Sequence, residues 1–538
     1  MKASLLIPKT YLFLPLIFCF LIISSFSSAQ SVSTMESQAR NYMQNSQFYL
    51  ALPIYLELDS LSPDNPKYLY PIGICYLHAV EEEKSLMYFN RCLTEAKKYP
   101  EKLYYYTAKA NHLLHRFEEA MKYYEEYKEA LRKKKNKKNK DIIIQVTREI
   151  EMCKNGKQMM TDSLKIKIVN LGPTINSKYP DHGPVLNADE SVMIFTSSRP
   201  NTTGGMIDDA DGNYYEDIYI SYKNEDNTWS TPKSISQNIN TNGHDASISL
   251  SADGQKLLLY KFGKEINGQA SGDLYISNLT GTQWSSPEKL PSHINSKGWE
   301  PSACLSSDEK LLIFSSDRED GHGGLDLYMV KKLPNGEWAL PMNMGARINT
   351  HYDEDSPFLH PDGKTLYFSS NGHKSMGGMD IFVTRFDEKT QQWSVPENVG
   401  YPISTAHDDM HFSWTADGRK VFFSSVRPGG FGDKDIYFTE VYKESAKLVV
   451  LKGMIMDSLS LYPVEATIKV TDNKSEELVG IFHSNSSTGK YIVILPEGKD
   501  YKFTITSQNY NVCSDHLDVT KLEEFEEIEK NIKLCPRR

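Results

Sequence analysis

Five carboxylates recur at one position of a repeated pattern, and they are the residues of this sequence whose spacing points most directly to chemistry. Each stands eight residues before an Asp-Gly or Asp-Glu pair, and the five are Asp181, Asp245, Glu300, Glu354 and Asp409. Like charges held close together favour either a bound cation or raised pKa values. The spacing therefore predicts a cation or ligand ring, with Ca²⁺ as the candidate ion and the metal itself unknown.

The same regularity has a structural interpretation, because an acid repeated in every unit can hold the backbone of a neighbouring unit. Further polar residues stand near the five acids in sequence: His182, His244, Asp355, Asp408 and His411. They would enrich a ligand site, yet they do not decide between the two interpretations. Both stay open at the level of the sequence.

Signatures of the commonest enzymes are missing from the chain. It contains no G-x-S-x-G, no H-E-x-x-H and no G-x-x-x-x-G-K-[ST] motif, which argues against the usual serine hydrolases, zinc proteases and nucleotide-binding enzymes. Each Asp-Gly pair is followed by an apolar strand, whereas calcium loops place oxygen ligands at alternate positions. These pairs are therefore expected to form hairpin turns.

The acids lie in a region, about 161–447, whose pattern repeats roughly every 55 residues. Each repeat has a turn, a short apolar strand and an Asp-[Ile/Leu]-[Tyr/Phe] motif, and four repeats carry Trp-x-x-Pro, at Trp229, Trp284, Trp338 and Trp393. Repeats of four short strands with turns at fixed offsets are typical of a β-propeller. The first strand of each blade lines the channel of a propeller, so the five acids are expected at one channel mouth.

The last repeat lacks a fourth strand of its own. An Ile-Asn or Ile-Ser pair marks the strand ends at Ile175, Ile239, Ile294, Ile348 and Ile403, and the first of these stands before any complete repeat. We expect the segment 165–176 to supply the missing strand and to close a five-bladed ring, because closure pairs two edges that would otherwise stay open.

These repeats resemble the bacterial WD40-like repeat of TolB-type propellers, in the form S-x-D-G-x-x-L-x-F-S-S-x-R-x-G-G-x-D-I-Y. The second repeat departs most from the pattern, with Tyr260-Lys261-Phe262 where the others have Ser-Ser. Arg199, Arg318 and Arg427 follow the Ser-Ser strands and are expected to be structural.

Residues 33–132 contain a different repeat, with a period of about 34 residues. Each unit pairs a small residue with a later aromatic one: Ala39 and Tyr55, Gly73 and Phe89, Ala108 and Tyr124. Small residues let antiparallel helices approach closely, and the pattern resembles the tetratricopeptide repeat. Ile143, Val146, Ile150 and Cys153 then predict a capping helix that ends near Asn155-Gly156.

The tetratricopeptide resemblance implies a concave groove lined by the first helix of each unit. Matching the units places eight residues there as a partner-binding surface: Arg40, Met43, Tyr70, Ile74, Leu77, Tyr105, Lys109 and His112. Aromatic anchors beside cations suit an extended or helical segment that carries a carboxylate. The alternative is that some of these side chains pack under the capping helix or against the propeller.

Residues 448–538 read as alternating strands without helices. Pro463-Val464-x-Ala466-x-Ile468-x-Val470 and Leu495-Pro496-x-Gly498-Lys499-x-Tyr501 resemble the carboxypeptidase regulatory-like domain, a prealbumin-like β-sandwich. For such domains the resemblance implies structure or adhesion. The predicted fold class is therefore multidomain: an all-α helical-repeat solenoid (30–160), a five-bladed β-propeller (161–447) and this sandwich (448–538).

Export is predicted by residues 1–29, where lysines precede an apolar run and then Ser27-Ser28-Ala29, the pattern of a signal peptide. The later chain has no apolar run long enough to span a membrane. A net charge of −10 argues against a nucleic-acid partner, and the basic run 132–140 is expected to be a solvated helix end. Most of the remaining cysteines are read as small buried residues; Cys513 and Cys535 are the one pair to test as a bridge, and the sequence leaves their disulfide state open.

The domain order resembles the periplasmic peptidoglycan-associated component of type IX secretion and gliding machinery, in which an OmpA-like domain grips the cell wall. That domain is not found in this sequence, so peptidoglycan binding is not carried over. We expect a non-catalytic scaffold of the bacterial envelope, in the periplasm or at the outer membrane, whose partners are envelope proteins bound through the helical repeats and the propeller face. The alternative is a five-bladed glycoside hydrolase or glycan-binding protein that uses two axial carboxylates.

Overall fold

The fold is given by a computed structural model, which describes residues 31–538 apart from 96, 97, 135, 210, 267, 268, 442–446, 523 and 538. The predicted signal peptide lies outside the described residues. Within them, seven helices are followed by antiparallel sheets and by a two-sheet domain at the carboxyl end. No helix in this part of the chain is both long and apolar enough to cross a membrane.

The helices form three antiparallel pairs and a final single helix, the arrangement of a tetratricopeptide-like repeat. Their bounds are α1 Val32–Gln44, α2 Phe48–Leu61, α3 Pro66–His78, α4 Glu82–Glu95, α5 Lys102–Leu113, α6 Phe117–Lys133 and α7 Asn139–Thr161. Ser31 and Asn65 cap α1 and α3, since their side chains accept hydrogen bonds from backbone amides of the first turn.

The predicted small and aromatic residues pack against one another inside each helix pair. Ala39, Ala108 and the aromatic rings of Phe89 and Tyr124 are fully buried. A Cβ at Gly73 would lie within the ring of Phe89, 2.4 Å from its Cδ1 atom. The close approach of α3 and α4 therefore depends on glycine at this position.

Helix α7 differs from its prediction in length. Its apolar face, Val146, Ile150 and Cys153, is buried as expected, but the helix runs through Asn155 and Gly156 to Thr161. A Cβ at Gly156 would lie 2.4 Å from Cζ of Phe117. This glycine allows α7 to approach Phe117 of α6 closely, and it does not end the helix.

Five antiparallel sheets follow, each built in chain order from an inner to an outer strand. The first sheet contains β2 Asp181–Leu186, β3 Val192–Ser197, β4 Asp217–Tyr222 and β5 Lys233–Ser234, and the second contains β6 Asp245–Leu250, β7 Lys256–Ile266, β8 Gln269–Thr280, β9 Gln283–Trp284 and β10 Glu288–Lys289. The third sheet contains β11 Ala303–Leu305, β12 Leu311–Ser316, β13 Asp326–Lys331 and β14 Met342–Asn343, and the fourth contains β15 Glu354–Leu359, β16 Thr365–Ser370, β17 Asp380–Asp387, β18 Gln392–Trp393 and β19 Glu397–Asn398. The fifth sheet contains β20 Asp409–Trp414, β21 Lys420–Ser425 and β22 Asp435–Glu440.

The short strand β1, Val169–Asn170, completes the fifth sheet. It pairs antiparallel with β22, with Val169 opposite Phe438 and Asn170 opposite Tyr437, so the predicted addition of the segment 165–176 to this sheet is confirmed. The first strands of successive sheets contact one another, and β20 of the fifth sheet contacts β2 of the first. The five sheets therefore surround a common interior.

The Asp-Gly and Asp-Glu pairs form the predicted hairpin turns between first and second strands. In each turn the aspartate accepts a hydrogen bond from the amide two residues later, and the acceptors are Asp189, Asp253, Asp308, Asp362 and Asp417. The next residue has a positive φ, for example 72° at Gly254 and 56° at Glu309. Glycine and a local side-chain cap both favour this turn.

The carboxyl-terminal domain packs two four-stranded sheets around one core. One sheet contains β23 Leu448–Asp457, β26 Lys490–Pro496, β29 Glu526–Glu529 and β30 Ile532–Leu534; the other contains β24 Thr467–Asp472, β25 Leu478–His483, β27 Asp500–Thr506 and β28 Cys513–Asp518. Tyr491, Tyr501 and Ile468 lie in the core between them. All six cysteines of the described residues are free, and Cys75, Cys92, Cys153 and Cys304 are buried.

This carboxyl-terminal domain is fixed to hairpin turns at one end of the sheets. Ala188, Ala252 and Ala416, from the turns of the first, second and fifth sheets, pack against a patch that includes Val450 and Ile494. Polar contacts surround the patch, such as Asn485 donating to the carbonyl of Gly281 at 2.8 Å. Alanine in these turns leaves room for the approaching strands.

The helical repeats are fixed to the opposite end of the sheets. Arg148 of α7 donates to the carbonyl oxygens of Asn371, Gly372 and His373 at 2.7 to 3.1 Å, in the loop between β16 and β17. Met376 of the same loop is fully buried in the helical core cluster of α5, α6 and α7. The fourth sheet is thus the main attachment point of the helices.

Candidate functional site

The five repeated acids are fully buried, and each serves its own segment. Every one accepts a hydrogen bond from the backbone amide four residues earlier, at 2.5 to 3.1 Å. The second carboxylate oxygen accepts from side chains of the adjoining second strand or the loop after it, such as Ser425 and Arg427 for Asp409. These contacts use the oxygens that a shared ion would need.

A cation accompanies the buried acid in four of the five sheets. Arg199, Lys261, Arg318 and Arg427 each donate both to the acid and to the carbonyl of the isoleucine in the Ile-Asn or Ile-Ser pair of the preceding sheet, namely Ile175, Ile239, Ile294 and Ile403. The asparagine beside that isoleucine binds the third strand of its own sheet, as Asn240 does with Ile218. The acid, the cation and the Ile-Asn pair therefore tie one sheet to the next.

The cation ring predicted from these acids is therefore corrected to an element of architecture. Among the described residues no group of three or more His, Cys, Asp or Glu side chains is placed to hold a metal ion. Because each carboxylate already has its donors, the five acids do not fit a common Ca²⁺ site. The structural interpretation accounts for their regular spacing.

The fourth sheet departs from this scheme. His373 stands where the other sheets have a cation, and its Nε2 atom lies 2.8 Å from the carbonyl oxygen of Ile348. Burial lowers the pKa of His373, so it is neutral and donates this hydrogen bond. Glu354 is left without a partner charge, and burial raises its pKa to about 7.

The partner-binding groove predicted on the helices is occupied in its second half, which corrects part of that prediction. Lys109 lies 3.3 Å from a carboxylate oxygen of Glu149 on α7. His112 is fully buried, 2.8 Å from the carbonyl of Met376, and Tyr105 packs against Tyr124. These side chains join α5 to α7 and to the fourth sheet, as the alternative interpretation held.

Glu149 of α7 is an ionised carboxylate at the junction between α5 and α7. Burial acts to raise its pKa, but Lys109 and His112 outweigh that effect and lower it to about 2. The carboxylate therefore stays ionised between two side chains that the sequence had assigned to a partner.

The first half of the groove remains accessible in part. Arg40 is exposed, Met43, Tyr70 and Leu77 are half-buried, and Ile74 is buried among α3, α4 and α5. Tyr70 lies edge-on to Tyr106 at 5.9 Å between ring centroids. The remaining surface is an arginine beside half-buried aromatic and apolar side chains.

A large cleft separates the turns of the helix pairs from the loops of the first and fifth sheets. It has a volume of about 1270 Å³, with Phe48, His78 and Leu114 on the helical side and Tyr401 and Phe431 on the sheet side. We call it the interdomain cleft. It is bridged at one end by Gln47, whose amide donates to the carbonyl of Asp209 at 3.1 Å.

A smaller cavity lies in the common interior of the five sheets, and we call it the central cavity. Its volume is about 280 Å³, and first strands of all five sheets line it. His182, Asp355 and His411, which the sequence placed near the acids, contribute to its wall. Glu216 and Lys434 also line it and were missed.

The signal for these two residues was present in the repeats. Glu216 and Lys434 both directly precede the Asp-Ile-Tyr motif, where the other three repeats have Gly272, Leu325 and Met379. A charge at a position that is otherwise uncharged marks the two repeats whose third strands supply polar groups to the cavity.

Comparisons with known proteins show only distant likenesses. No family model and no curated protein matches the chain. The helical region is similar to the translocator chaperone SycD of the Yersinia enterocolitica type III secretion system (15% identity, 24% of this chain and 86% of that one, TM-score 0.22) and to the Sgt2 TPR domain from Aspergillus fumigatus (21%, 23% and 83%, TM-score 0.21). The sheet region is similar to an alpha-L-arabinofuranosidase from Lactobacillus brevis (11%, 53% and 94%, TM-score 0.32). At these TM-scores the likenesses carry no argument about activity.

Proposed function

We propose that this protein is a non-catalytic scaffold of the bacterial cell envelope, in which a five-bladed propeller holds helical repeats at one end and a β-sandwich at the other. The cyclic contacts of the first strands and the closing strand β1 support the propeller. The export signal and the domain order in the sequence support a periplasmic or outer-membrane location and an association with type IX secretion or gliding.

The observation that carries this proposal is the way the helices are locked in place. Arg148, Glu149 and His112 commit one half of the groove to the sheets, while the turns of the helix pairs face the open interdomain cleft. A firmly held junction beside a large, accessible cleft suits a platform for another protein.

The partner surface in this proposal is the first half of the groove together with the interdomain cleft. Arg40 and Tyr70 represent the groove, and Phe431, whose side chain is exposed, represents the cleft. Arginine and aromatic side chains dominate interface energies because they bury large areas and orient charged partners. We expect an envelope protein that presents an extended or helical segment with a carboxylate.

The test is capture of partners from an envelope extract, followed by mass spectrometry. A variant with Arg40→Glu and Tyr70→Ala should lose a specific partner if the groove binds it, and Phe431→Ala should lose it if the cleft does. Arg419→Glu with Tyr462→Ala is the matched control, since both residues are exposed on other surfaces. Arg40→Glu alone guards against destabilisation at Tyr70. If every variant retains the same partners as the wild type, the proposal is wrong.

A further inference from the structure

The central cavity has features of a ligand site that the scaffold does not need. The hairpin turns at one end of the first strands are packed against the sandwich through Ala188, Ala252 and Ala416. The polar groups lie at the other end, where β2, β20 and β22 begin. The cavity is therefore a pocket closed at its apolar end and polar at the end that faces the helical repeats.

Three first strands adopt an unusual backbone conformation beside this pocket. Gly183, Ser356 and His411 stand two residues after the buried acid, with φ of 63°, 49° and 54°. Strand register shifts at each of these sites, which is the mark of a β-bulge. Bulges redirect side chains, and a left-handed conformation costs energy at serine and histidine.

A cluster of nitrogen atoms occupies the polar end. The rings of His182 and His411 stack with centroids 5.3 Å apart, and the Nδ1 atom of each is buried without a hydrogen-bond partner. Lys434 lines the pocket beside them and makes no ion pair with any residue that the structure describes. Burial lowers the pKa of His411, so its neutral ring can offer one N–H to a negatively charged group, and Lys434 supplies positive charge beside it.

Glu216 orients this cluster and does not neutralise all of it. Its Oε1 atom accepts a hydrogen bond from Nε2 of His182 at 2.9 Å, and its other oxygen lies 3.5 Å from Nδ1 of His244. With the Nε2–H of His182 donated to Glu216, Nδ1 is the atom left for a ligand, and it donates to a carboxylate when the ring carries a proton on both nitrogens. Lys434 supplies a positive charge for the same purpose and also acts on the neighbouring carboxylate of Asp433.

The remaining wall suits a small body with hydroxyl or amide groups. Ser356 is 5% exposed, and its Oγ atom is buried without a partner. Asp355 accepts from Ser302 and from Ser315 at 2.7 Å through a single oxygen, Oδ1. Trp299 and Phe358 add apolar surface, and pockets of this kind combine apolar walls with a few placed polar groups.

We propose that the central cavity binds a small organic carboxylate, with Lys434, His182 and His411 around the carboxylate group and Ser356 and Asp355 beside the body of the ligand. The volume of about 280 Å³ fits one sugar-acid unit or one terminal residue of a peptide. This site is separate from the groove and the interdomain cleft. A result on ligand binding therefore does not decide the scaffold proposal.

The proposal is tested by calorimetric titration of the whole chain with four probes. D-glucuronate and D-glucose form one pair, and N-acetylglycine and its amide form the other; each pair differs by the charge of a carboxylate. We expect at least one of the acids to bind and its neutral counterpart to bind at least tenfold more weakly. Glucuronate identifies a sugar acid as the source, and N-acetylglycine identifies a peptide terminus.

Variants then locate the site. Lys434→Met should weaken binding of the acid at least tenfold, and Lys434→Arg should keep it within about threefold of the wild type. Lys233→Met is the control, because this exposed lysine of β5 carries the same charge and lies outside the central cavity and the interdomain cleft. Binding of neither acid, equal binding of an acid and its neutral counterpart, or unchanged binding in a folded Lys434→Met variant would overturn the proposal.

Discussion

The fourth sheet differs from the other four sheets in the side chain that lies between its buried acid and the preceding sheet. In the first, second, third and fifth sheets a cation sits between the buried acid and the preceding sheet, whereas the fourth sheet has neutral His373. The fourth sheet is also the one whose loop accepts hydrogen bonds from Arg148 of α7 and whose Met376 is buried among the helices. A repeat that departs from its pattern thus marks the place where another domain is attached.

The largest effect on stability is expected when the cation beside a buried acid is removed from one of the four sheets that have one. Arg199→Met leaves Asp181 buried beside no charge and removes the hydrogen bond to Ile175, so the free energy of unfolding should fall by about 3 to 5 kcal/mol. His373→Met in the fourth sheet should cost about 1 to 2 kcal/mol, since Glu354 lacks a partner charge already. Urea unfolding measures both values.

Arg385→Met is the control for these two variants, because Arg385 is an exposed arginine of the fourth sheet. Equal losses in Arg199→Met and His373→Met would remove the distinction between the sheets.

The attachment of the helices is tested at Arg148. Arg148→Ala leaves three carbonyl oxygens of the fourth-sheet loop without their charged donor, which should weaken the junction by about 2 to 3 kcal/mol. We expect the helices to melt separately in calorimetry and the segment 162–168 to become open to proteases. Arg132→Ala, in an exposed part of α6, should leave a single transition.

The pH dependence of stability tests Glu354. Its pKa is about 7 in the folded chain and about 4.3 in an unfolded one, so the protonated form favours folding. That contribution is complete below about pH 4, declines as the pH rises and is lost above about pH 7, a change of roughly 3 to 4 kcal/mol. Glu354→Gln should remove this decline between pH 5 and pH 8.

Thermal unfolding of the wild type in the same buffers provides the comparison for this measurement. An identical pH profile for Glu354→Gln and the wild type would show that Glu354 keeps its ordinary pKa and that the fourth sheet is not unusual in charge.

The smallest effect is expected at Gly156, on the helix that carries Arg148. Gly→Ala in a helix interior usually stabilises a protein by about 0.5 to 1 kcal/mol, but here the added Cβ would overlap Phe117. We expect Gly156→Ala to lower the free energy of unfolding by about 1 to 2 kcal/mol. A gain in stability would mean that α6 and α7 can separate without loss.

Local periodicity made much of the fold predictable, because each sheet repeats its turns and strand ends in the sequence. The small and aromatic residues of the helices and the addition of β1 to the fifth sheet followed from spacing alone. The contact of His112 with Met376 did not, since 264 residues separate the two positions. Gly156 was misread because a helix-ending glycine and a packing glycine look the same without a partner helix.

At the candidate sites, too, local spacing predicted some features and missed those that depend on contacts distant in sequence. The repeated acids were found by their spacing, yet spacing does not reveal that Ser316, Arg318 and a backbone amide already use the oxygens of Glu300. Lys109 and His112 were assigned to a groove that α7 fills. Glu216 and Lys434 break the repeat pattern, and such departures are more informative about a site than the positions that every repeat shares.

The strand β1 has a mechanical consequence. It is antiparallel to β22, so the chain leading to the helices and the chain leading to the sandwich leave the fifth sheet at the same end. Once the junctions of the helices with the fourth sheet and of the sandwich with the hairpin turns have parted, a force on these two chain segments would open the pair from that end, one hydrogen bond at a time. In that step the fifth sheet carries the tension, and β1 is the first of its strands to separate.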